Sequence, residues 1–168
     1  MAPRIILIGP PGAGKSSVGK SLARILQVDF IDTDSVIADQ EKKSISEIFV
    51  DNGEGYFRQK EIEVLLHQIK NHPGVLSLGG GAPLSEVAQD AIKDSGSIVV
   101  FLDVSLASAA PRIGFNRDRP LLLGNPRAQW QELMNDRRPI YESLAQHCVV
   151  TDKLTPNEAA AQIVTLIA

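Results

Sequence analysis

The stretch that decides the fold, residues 9–16, reads Gly9-Pro10-Pro11-Gly12-Ala13-Gly14-Lys15-Ser16. It matches the pattern G-x-x-x-x-G-K-[ST] at every fixed position. A continuous apolar run precedes it at residues 4–8, and residues 16–26 follow with apolar side chains at helical spacing. A strand, a glycine-rich loop and a helix in this order are the arrangement in which the pattern binds phosphate groups.

Each part of this loop has a chemical task. The glycines let the main chain curl so that successive N–H groups point at phosphate oxygens, and the helix N-terminus adds the positive end of its dipole. Lys15 is expected to bridge the β- and γ-phosphates, the Ser16 hydroxyl to bind Mg²⁺, and Ser17 to contact the α-phosphate. The loop thus predicts a nucleoside triphosphate and a metal ion, but it leaves the phosphoryl acceptor open. The predicted nucleotide contacts of the loop are Gly12, Ala13, Gly14, Lys15, Ser16 and Ser17.

The composition is typical of one globular domain spanning residues 1–168. Hydrophobic residues make up 43% and charged residues 22%, and the net charge of −3 provides no broad basic surface for nucleic acid. The single cysteine, Cys148, excludes an intrachain disulfide and lies in an apolar run that predicts a buried thiol. No apolar stretch is long enough to span a membrane, so we expect a cytoplasmic protein without membrane or nucleic-acid partners.

Strand and helix patterns alternate along the chain, which predicts an α/β fold with a five-stranded parallel sheet flanked by helices. Thr155 and Glu158 form a capping box that begins the last helix. Pro139 predicts a break between two helices, because proline removes a main-chain donor. The strands are predicted at residues 4–8, 29–31, 75–78, 98–102 and 148–150. The helices are predicted at residues 16–26, 52–70, 86–94, 107–112 and 126–138, and after Ser44, Pro139 and Thr155.

Other features of the sequence indicate which class of nucleotide-binding protein this chain belongs to. The sequence has no Asn-Lys-x-Asp element for guanine, which argues against a GTPase, and its length suits a small-molecule kinase. Asp32 and Asp34 follow the second strand, where one carboxylate can hold the metal ion through water and the other can accept a hydroxyl proton. A turn or a helix cap is the alternative interpretation of these aspartates. Asp103, after the fourth strand, is a second candidate for the metal and ranks below Asp32.

A family resemblance becomes specific at residues 53–61, Gly53-Glu54-Gly55-Tyr56-Phe57-Arg58-Gln59-Lys60-Glu61. They resemble the G-E-x-x-F-R-x-x-E segment of shikimate kinases. The resemblance spans nearly the whole chain and implies a P-loop NTPase fold, with a helical acceptor-binding region at about residues 32–61 and a mobile lid at about residues 112–124. Motifs that are similar to those of the same family, in the family's order, lie at residues 31–34, 78–82, 119–122 and 137–141.

The resemblance implies roles for charged residues around the acceptor. Asp34 would bind the acceptor hydroxyls and act as the base, while Asp32 would help hold Mg²⁺. Arg58 and Arg137 would bind the substrate carboxylate, for which planar guanidinium groups are well suited. From the residues alone, the preferred interpretation makes Arg58 a surface arginine paired with Glu54 or Glu61, and Arg137 a solvated residue near a helix end.

The resemblance also implies that the main chain of Gly79, Gly80 and Gly81 approaches the substrate. Three glycines at the end of a strand are costly to order, so close approach to a ligand accounts for them better than a plain turn does. A flexible loop is the alternative interpretation.

On the nucleotide side, the resemblance implies that Arg119 closes over the phosphates and neutralises charge on the transferred group. Arg117 is a less certain second cation. Arg112 and Pro156 match residues that enclose the adenine, although Arg112 follows Pro111, which departs from the family's pattern. Lys153 lies where an additional ATP contact sometimes occurs.

Taken together, these features predict an ATP:alcohol phosphotransferase that converts shikimate to 3-phosphoshikimate with Mg²⁺, in aromatic amino-acid biosynthesis. A monomer with ATP and shikimate as its partners is expected. Two alternatives stay open: a kinase for another hydroxy acid such as gluconate, and a regulatory module that binds nucleotide without a small-molecule acceptor.

Overall fold

The computed structural model describes residues 4–114 and 125–168. Its five strands form one parallel sheet in the order β2-β3-β1-β4-β5, which confirms the predicted architecture. The carboxyl ends of parallel strands meet at one edge of a sheet, so the loops that follow β1, β2 and β3 lie close together. The strands are β1 (Ile5–Ile8), β2 (Phe30–Asp32), β3 (Val75–Ser77), β4 (Ile98–Asp103) and β5 (His147–Val150).

Helices connect and cover the strands. One short 3₁₀ turn, Ala82–Leu84, follows the glycine run after β3. Among the described residues, no helix combines the length and the apolar character needed to cross a lipid bilayer. The α-helices are α1 (Lys15–Leu26), α2 (Thr33–Glu41), α3 (Ile45–Asn52), α4 (Glu54–Asn71), α5 (Glu86–Asp94), α6 (Leu106–Ile113), α7 (Pro126–Leu144) and α8 (Pro156–Ile167).

The apolar residues of the chain pack into two clusters. All four residues of β1 are fully buried, because helices cover both faces of the central strands. In the main cluster, α1 packs against α8, while α7 packs against β4 and α5. A second, smaller cluster joins α2, α3 and α4 through Ile37, Ile48, Phe57 and Val64. These three helices therefore form a helical unit with its own small core beside the sheet.

The sequence-based prediction of the helices is wrong in two places. The sequence predicts a break at Pro139, yet α7 continues to Leu144 with Pro139 inside it. Buried Trp130 and Tyr141 lie on one face of α7, on either side of the proline, and their packing offsets the one main-chain hydrogen bond that proline removes. Helix α2 was not predicted at all, because its apolar pattern is weak; it begins where Asp32 Oδ1 accepts a hydrogen bond from Asp34 N at 2.9 Å.

The prediction of a buried thiol at Cys148 is also wrong, because Cys148 is exposed. Strand β5 lies at the edge of the sheet, and only Val149 on it is buried. Partial desolvation still raises the pKa of the Cys148 thiol above its ordinary value, so the thiolate is disfavoured. The continuous apolar run Cys148-Val149-Val150 led to the error, since such a run predicts burial on both faces.

Candidate active site

The phosphate loop, residues 9–16, leaves β1 at the carboxyl edge of the sheet and enters α1. Gly12 and Gly14 have φ of +84° and +92°, values that side-chain-bearing residues rarely adopt. Gly14 is also the N-cap residue of α1, so the loop glycines turn the chain directly onto the helix N-terminus. First-turn N–H groups of a helix lack partners within the helix and carry its positive dipole end. The loop is therefore built to bind an anion with main-chain groups.

Side chains around the loop hold its carbonyl groups. Lys15 Nζ donates to the carbonyl oxygens of Gly9 and Pro10 at 2.7 and 3.0 Å. Arg112 Nη1 donates to the Gly12 carbonyl oxygen at 3.1 Å, and Arg112 Nη2 donates to the Thr151 carbonyl oxygen at 2.6 Å. Within the loop itself, Ala13 N donates to the Pro10 carbonyl oxygen at 3.2 Å. Arg112 thus lies against the loop, despite the preceding proline inside α6.

The two candidate metal carboxylates differ in what they contact. Ser16 Oγ donates a hydrogen bond to Asp32 Oδ2, so these two predicted metal ligands are adjacent at the start of α1. Both carboxylate oxygens of Asp103 instead accept hydrogen bonds from Arg138 at 2.9 Å each. A bidentate guanidinium pair uses the oxygens that a metal ion would need. The geometry favours Asp32 over Asp103.

A hydroxyl and a carboxylate are the hard oxygen donors that Mg²⁺ prefers. Within residues 4–114 and 125–168, no cluster of three or more His, Cys, Asp or Glu side chains exists that could hold a metal. Mg²⁺ in phosphoryl-transfer sites commonly uses one or two protein ligands together with substrate phosphates and water. Ser16 and Asp32 fit that pattern.

A cavity of about 880 Å³ runs along the loop. Arg112, Leu154 and Pro156 line it at one end, and Asp34 and Gly79 line it on the acceptor side. The cavity brings together most of the predicted nucleotide-binding residues, which also include Gly12, Ala13, Gly14, Lys15, Ser16 and Ser17. Lys153 is exposed and is not among the lining residues, so the structure does not bring it to this site.

The acceptor cluster comprises Asp34, Arg58, Glu61, Gly79, Gly80, Gly81 and Arg137. The tight spacing around its glycines shows how closely the members pack. A Cβ atom placed on Gly79 would lie 2.6 Å from Asp34 Oδ1, and one on Gly80 would lie 3.1 Å from Arg137 Nη1. A Cβ atom on Gly81 would collide with the guanidinium of Arg58. The structure therefore gathers side chains from α2, α4 and α7 around one glycine run.

The two arginines are held differently from what the alternative interpretations require. Arg137 is only 5% exposed in the interior of α7, so it is not a solvated residue at a helix end. Arg58 does pair with Glu61, at 2.9 Å, and more weakly with Glu54, at 3.9 Å. Its partner Glu61 is itself buried, however; the Arg58 guanidinium lies against Gly81 and the Glu61 carboxylate near Gly79. Both guanidinium groups thus face the glycine run.

Glu61 is a site residue whose contribution the sequence reasoning missed. It is 3% exposed and lies near Gly79 as well as Arg58. Burial raises the pKa of the Glu61 carboxyl above its ordinary value, against the opposing effect of the Arg58 charge. The available signal was its fixed position at the end of the G-E-x-x-F-R-x-x-E segment. Only the packing of α4 shows that this glutamate faces inward.

Arg117 and Arg119, and with them residues 115–124 of the predicted lid, lie outside the described residues. Their roles stay predictions.

Comparison with known proteins identifies the family. The sequence model of the shikimate kinase family matches residues 11–168. A shikimate kinase of Thermobifida fusca is 49% identical over 96% of this chain and 92% of its own length. The chain belongs to the shikimate kinase family. Another shikimate kinase, from Salinispora arenicola, is 46% identical over 100% of this chain and 99% of its own length.

Solved structures agree with this membership. A shikimate kinase from Acinetobacter baumannii in complex with shikimate superposes with a TM-score of 0.94 at 33% identity, covering 99% of this chain and 93% of that one. The predicted P-loop kinase fold and the resemblance to shikimate kinases are thereby confirmed. As a member of the family, the chain is a kinase, and its phosphate loop is the ATP-binding element.

Proposed function

We propose that this shikimate kinase family member transfers the γ-phosphoryl group of ATP to the 3-hydroxyl of shikimate, yielding ADP and 3-phosphoshikimate in the route to aromatic amino acids. The observation that carries the proposal is the acceptor cluster itself. Two guanidinium groups and one aspartate surround a glycine run that lies directly beside the phosphate loop. An acid that also bears a hydroxyl group matches this set of charges.

The guanidinium groups of Arg58 and Arg137 would bind the substrate carboxylate. Two cations near one anion favour a planar acid over a neutral alcohol, and the fork geometry of arginine adds directional hydrogen bonds. Glu61 orients Arg58 through the 2.9 Å ion pair, so the guanidinium is held before substrate arrives. The carboxylate would therefore fix one end of the acceptor ring.

At the other end of the acceptor, Asp34 would bind the reacting hydroxyl and accept its proton. Asp34 lies in the first turn of α2, beside Gly79 and on the wall of the cavity that the loop lines. A carboxylate here orients the hydroxyl oxygen toward the γ-phosphorus for in-line attack. Most of the rate enhancement in phosphoryl transfer comes from such positioning together with charge stabilisation.

On the nucleotide side, the loop N–H groups and Lys15 would hold the triphosphate, with Arg112 and Pro156 at the adenine end. Lys15 now bonds loop carbonyl groups, so ATP binding requires its ammonium group to turn from these oxygens to the phosphates. Ser16 and Asp32 would hold Mg²⁺, which when bound neutralises charge on the phosphate oxygens. Arg119 would add a cation from the lid.

We also propose that the enzyme acts as a cytoplasmic monomer. The single cysteine is consistent with a reducing compartment. Sedimentation equilibrium across a range of protein concentrations would measure the mass directly. A mass that rises to twice that of the 18.1 kDa chain would contradict the monomer.

The deciding experiment is a coupled ADP-release assay with a panel of hydroxy acids: shikimate, quinate and gluconate. We expect kcat/KM for shikimate to exceed that for the other acids by on the order of 100-fold or more, because misplaced hydroxyl groups leave buried polar groups unpaired. Gluconate as the best acceptor would replace the proposed substrate. ATP turnover that no acid stimulates would favour a regulatory nucleotide-binding module instead.

A further inference from the structure

The carbonyl groups of the phosphate loop are held by side chains from three helices, α1, α6 and α7, and from the loop after β5. Those of Gly9, Pro10 and Gly12 accept from Lys15 and Arg112, as described above. The Ala13 carbonyl accepts from Thr151 Oγ1 at 2.8 Å. The remaining carbonyl, that of Pro11, accepts from the indole N–H of Trp130 at 2.9 Å. Every carbonyl from residue 9 to residue 13 thus has a side-chain donor.

Trp130 is unusual among these donors because it lies on α7, the helix that also carries Arg137. Trp130 is 1% exposed, so its indole N–H is shielded from water, while Pro11, which carries the accepting carbonyl, is half-buried. Breaking this bond would leave the buried indole N–H without its acceptor and the Pro11 carbonyl without its side-chain donor. The loop conformation at Pro11 therefore depends on where α7 lies.

The same helix holds the glycine run. Tyr141 Oη donates to the Gly80 carbonyl oxygen at 2.7 Å, and burial raises the pKa of Tyr141 to about 12, so the hydroxyl keeps its proton at neutral pH. Gly80 in turn lies against the loop: a Cβ atom placed on it would be 3.4 Å from Pro11 Cδ and 3.5 Å from the Gly9 carbonyl oxygen. The phosphate loop, the glycine run and α7 therefore contact one another pairwise.

The spacing of Trp130 and Tyr141 along α7 lets this one helix contact both the phosphate loop and the glycine run. Trp130 and Tyr141 are separated by about three helical turns and so lie on the same face, with Arg137 between them. The helix rises roughly 16 Å over that length, at 1.5 Å per residue, and continues through Pro139. The distance between the nucleotide loop and the carboxylate-binding arginine is accordingly set by a single helix.

We propose that Trp130 is a positioning residue for the phosphate loop, and that α7 links the ATP subsite to the acid subsite through Trp130 and Tyr141. The expected effect on the KM for shikimate rests on the proposed function. The expected effect on nucleotide affinity does not depend on the acceptor. Trp130 touches no reacting atom; it acts by holding the Pro11 carbonyl so that the loop N–H groups face the phosphates.

The test is the affinity of variants for AMP-PNP with Mg²⁺, measured by calorimetry. Trp130→Phe removes the donor while keeping an aromatic ring, and we expect the Kd to rise about tenfold, as the loss of a hydrogen bond that leaves a buried N–H unpaired implies. Replacing Trp130 by 3-benzothienylalanine keeps the bicyclic shape and removes only the N–H. We expect the same rise for this variant, which also covers the case in which Trp130→Phe fails to fold.

Two controls separate positioning from loss of stability. Met134→Ala opens a cavity in the buried face of the same helix without removing a loop contact, so it should lower Tm and leave the Kd for AMP-PNP unchanged. Tyr141→Phe should raise the KM for shikimate more than the KM for ATP, because its hydrogen bond ends on the glycine run. The opposite split would contradict the proposed link.

Each result bears on the inference. Wild-type affinity for AMP-PNP in the benzothienylalanine protein would overturn it, whatever Trp130→Phe does, because shape alone would then account for the residue. A weakened nucleotide affinity in a protein that phosphorylates none of the acids would support the inference while the proposed acceptor failed. The two conclusions are therefore separable.

Discussion

The phosphate loop and the acceptor cluster lie side by side but are built in opposite ways. The loop consists of eight consecutive residues whose main-chain groups do the binding, and its glycines adopt the conformations that the curl requires. The acceptor cluster consists of side chains from α2, α4 and α7 together with the glycine run after β3, separated by up to about a hundred positions in the chain. One site is encoded locally and the other is assembled.

The two sites should respond differently to amino-acid substitutions. A site made of main-chain groups depends on local backbone conformation and on the donors that hold its carbonyl groups. A site made of side chains depends on which face of each helix is buried. Changes in the acceptor cluster should therefore alter acid binding or chemistry and leave nucleotide binding intact.

The largest expected effect is that of Asp34→Asn. We expect kcat to fall by roughly 100- to 10,000-fold, because a general base and an orienting carboxylate are lost, while Tm and AMP-PNP affinity stay unchanged. Asp39→Asn is the matched control, since Asp39 is an exposed aspartate on the same helix. Weakened AMP-PNP binding in Asp34→Asn would show that Asp34 also contributes to nucleotide binding. It would contradict the separation of the acceptor cluster from the phosphate loop.

A smaller effect is expected from Arg137→Lys, which keeps the charge and removes the planar fork. The KM for shikimate should rise by roughly 10- to 100-fold, the size expected for a lost charge-assisted hydrogen bond, while the KM for ATP stays the same. Arg138→Lys is the neighbouring control, because Arg138 pairs with Asp103 instead of facing the glycine run. Equal effects of the two substitutions on shikimate KM would contradict the assignment.

Gly81→Ala should raise the KM for shikimate several-fold, since the new methyl group displaces the guanidinium of Arg58. The matched control is Gly55→Ala, where a Cβ atom meets no other atom within 4 Å. In the first turn of α4, that control should keep wild-type kinetics and add up to about 1 kcal/mol of stability, because alanine favours helix more than glycine does. Steady-state kinetics and urea unfolding measure both outcomes. Wild-type shikimate KM in Gly81→Ala would show that Arg58 is not held there.

The smallest expected effect is on the pH dependence of stability. Burial holds the pKa of Glu61 above its ordinary value of 4.5 in the folded state, so the folded protein binds this proton more tightly than the unfolded chain does. The contribution of Glu61 to the free energy of unfolding is then fully present below pH 4.5 and declines as the pH rises through the folded-state pKa. The side chain introduced by Glu61→Gln cannot titrate, so the free energy of unfolding of this variant should not show that decline.

Urea unfolding at a series of values between about pH 4 and pH 8 measures this slope. The free energy of unfolding of Glu61→Gln minus that of the wild type should therefore increase as the pH rises. Glu63→Gln is the control, because Glu63 is an exposed glutamate on the same helix. If the free energies of unfolding of Glu61→Gln and wild type change in parallel with pH, Glu61 is not desolvated. The acceptor cluster would then lack the buried carboxylate that distinguishes it from the phosphate loop.

The acceptor cluster also shows where sequence patterns stop being informative. The family resemblance assigned Asp34, Arg58, Arg137 and the three glycines to one site, and the structure brings them together. From the residues alone, Arg137 looked like a solvated helix end, since the helix was expected to stop at Pro139. The inward orientation of Arg137, and the burial of Glu61, follow only from packing.

By itself, the sequence determined the phosphate loop, the five parallel strands and the capped start of α8, because each depends on the conformational preferences of neighbouring residues. Tertiary structure decided the continuity of α7, the exposure of Cys148 on an edge strand and the contact between Trp130 and Pro11. These features depend on which surfaces meet, and the energy of packing them exceeds the local preference of any single residue.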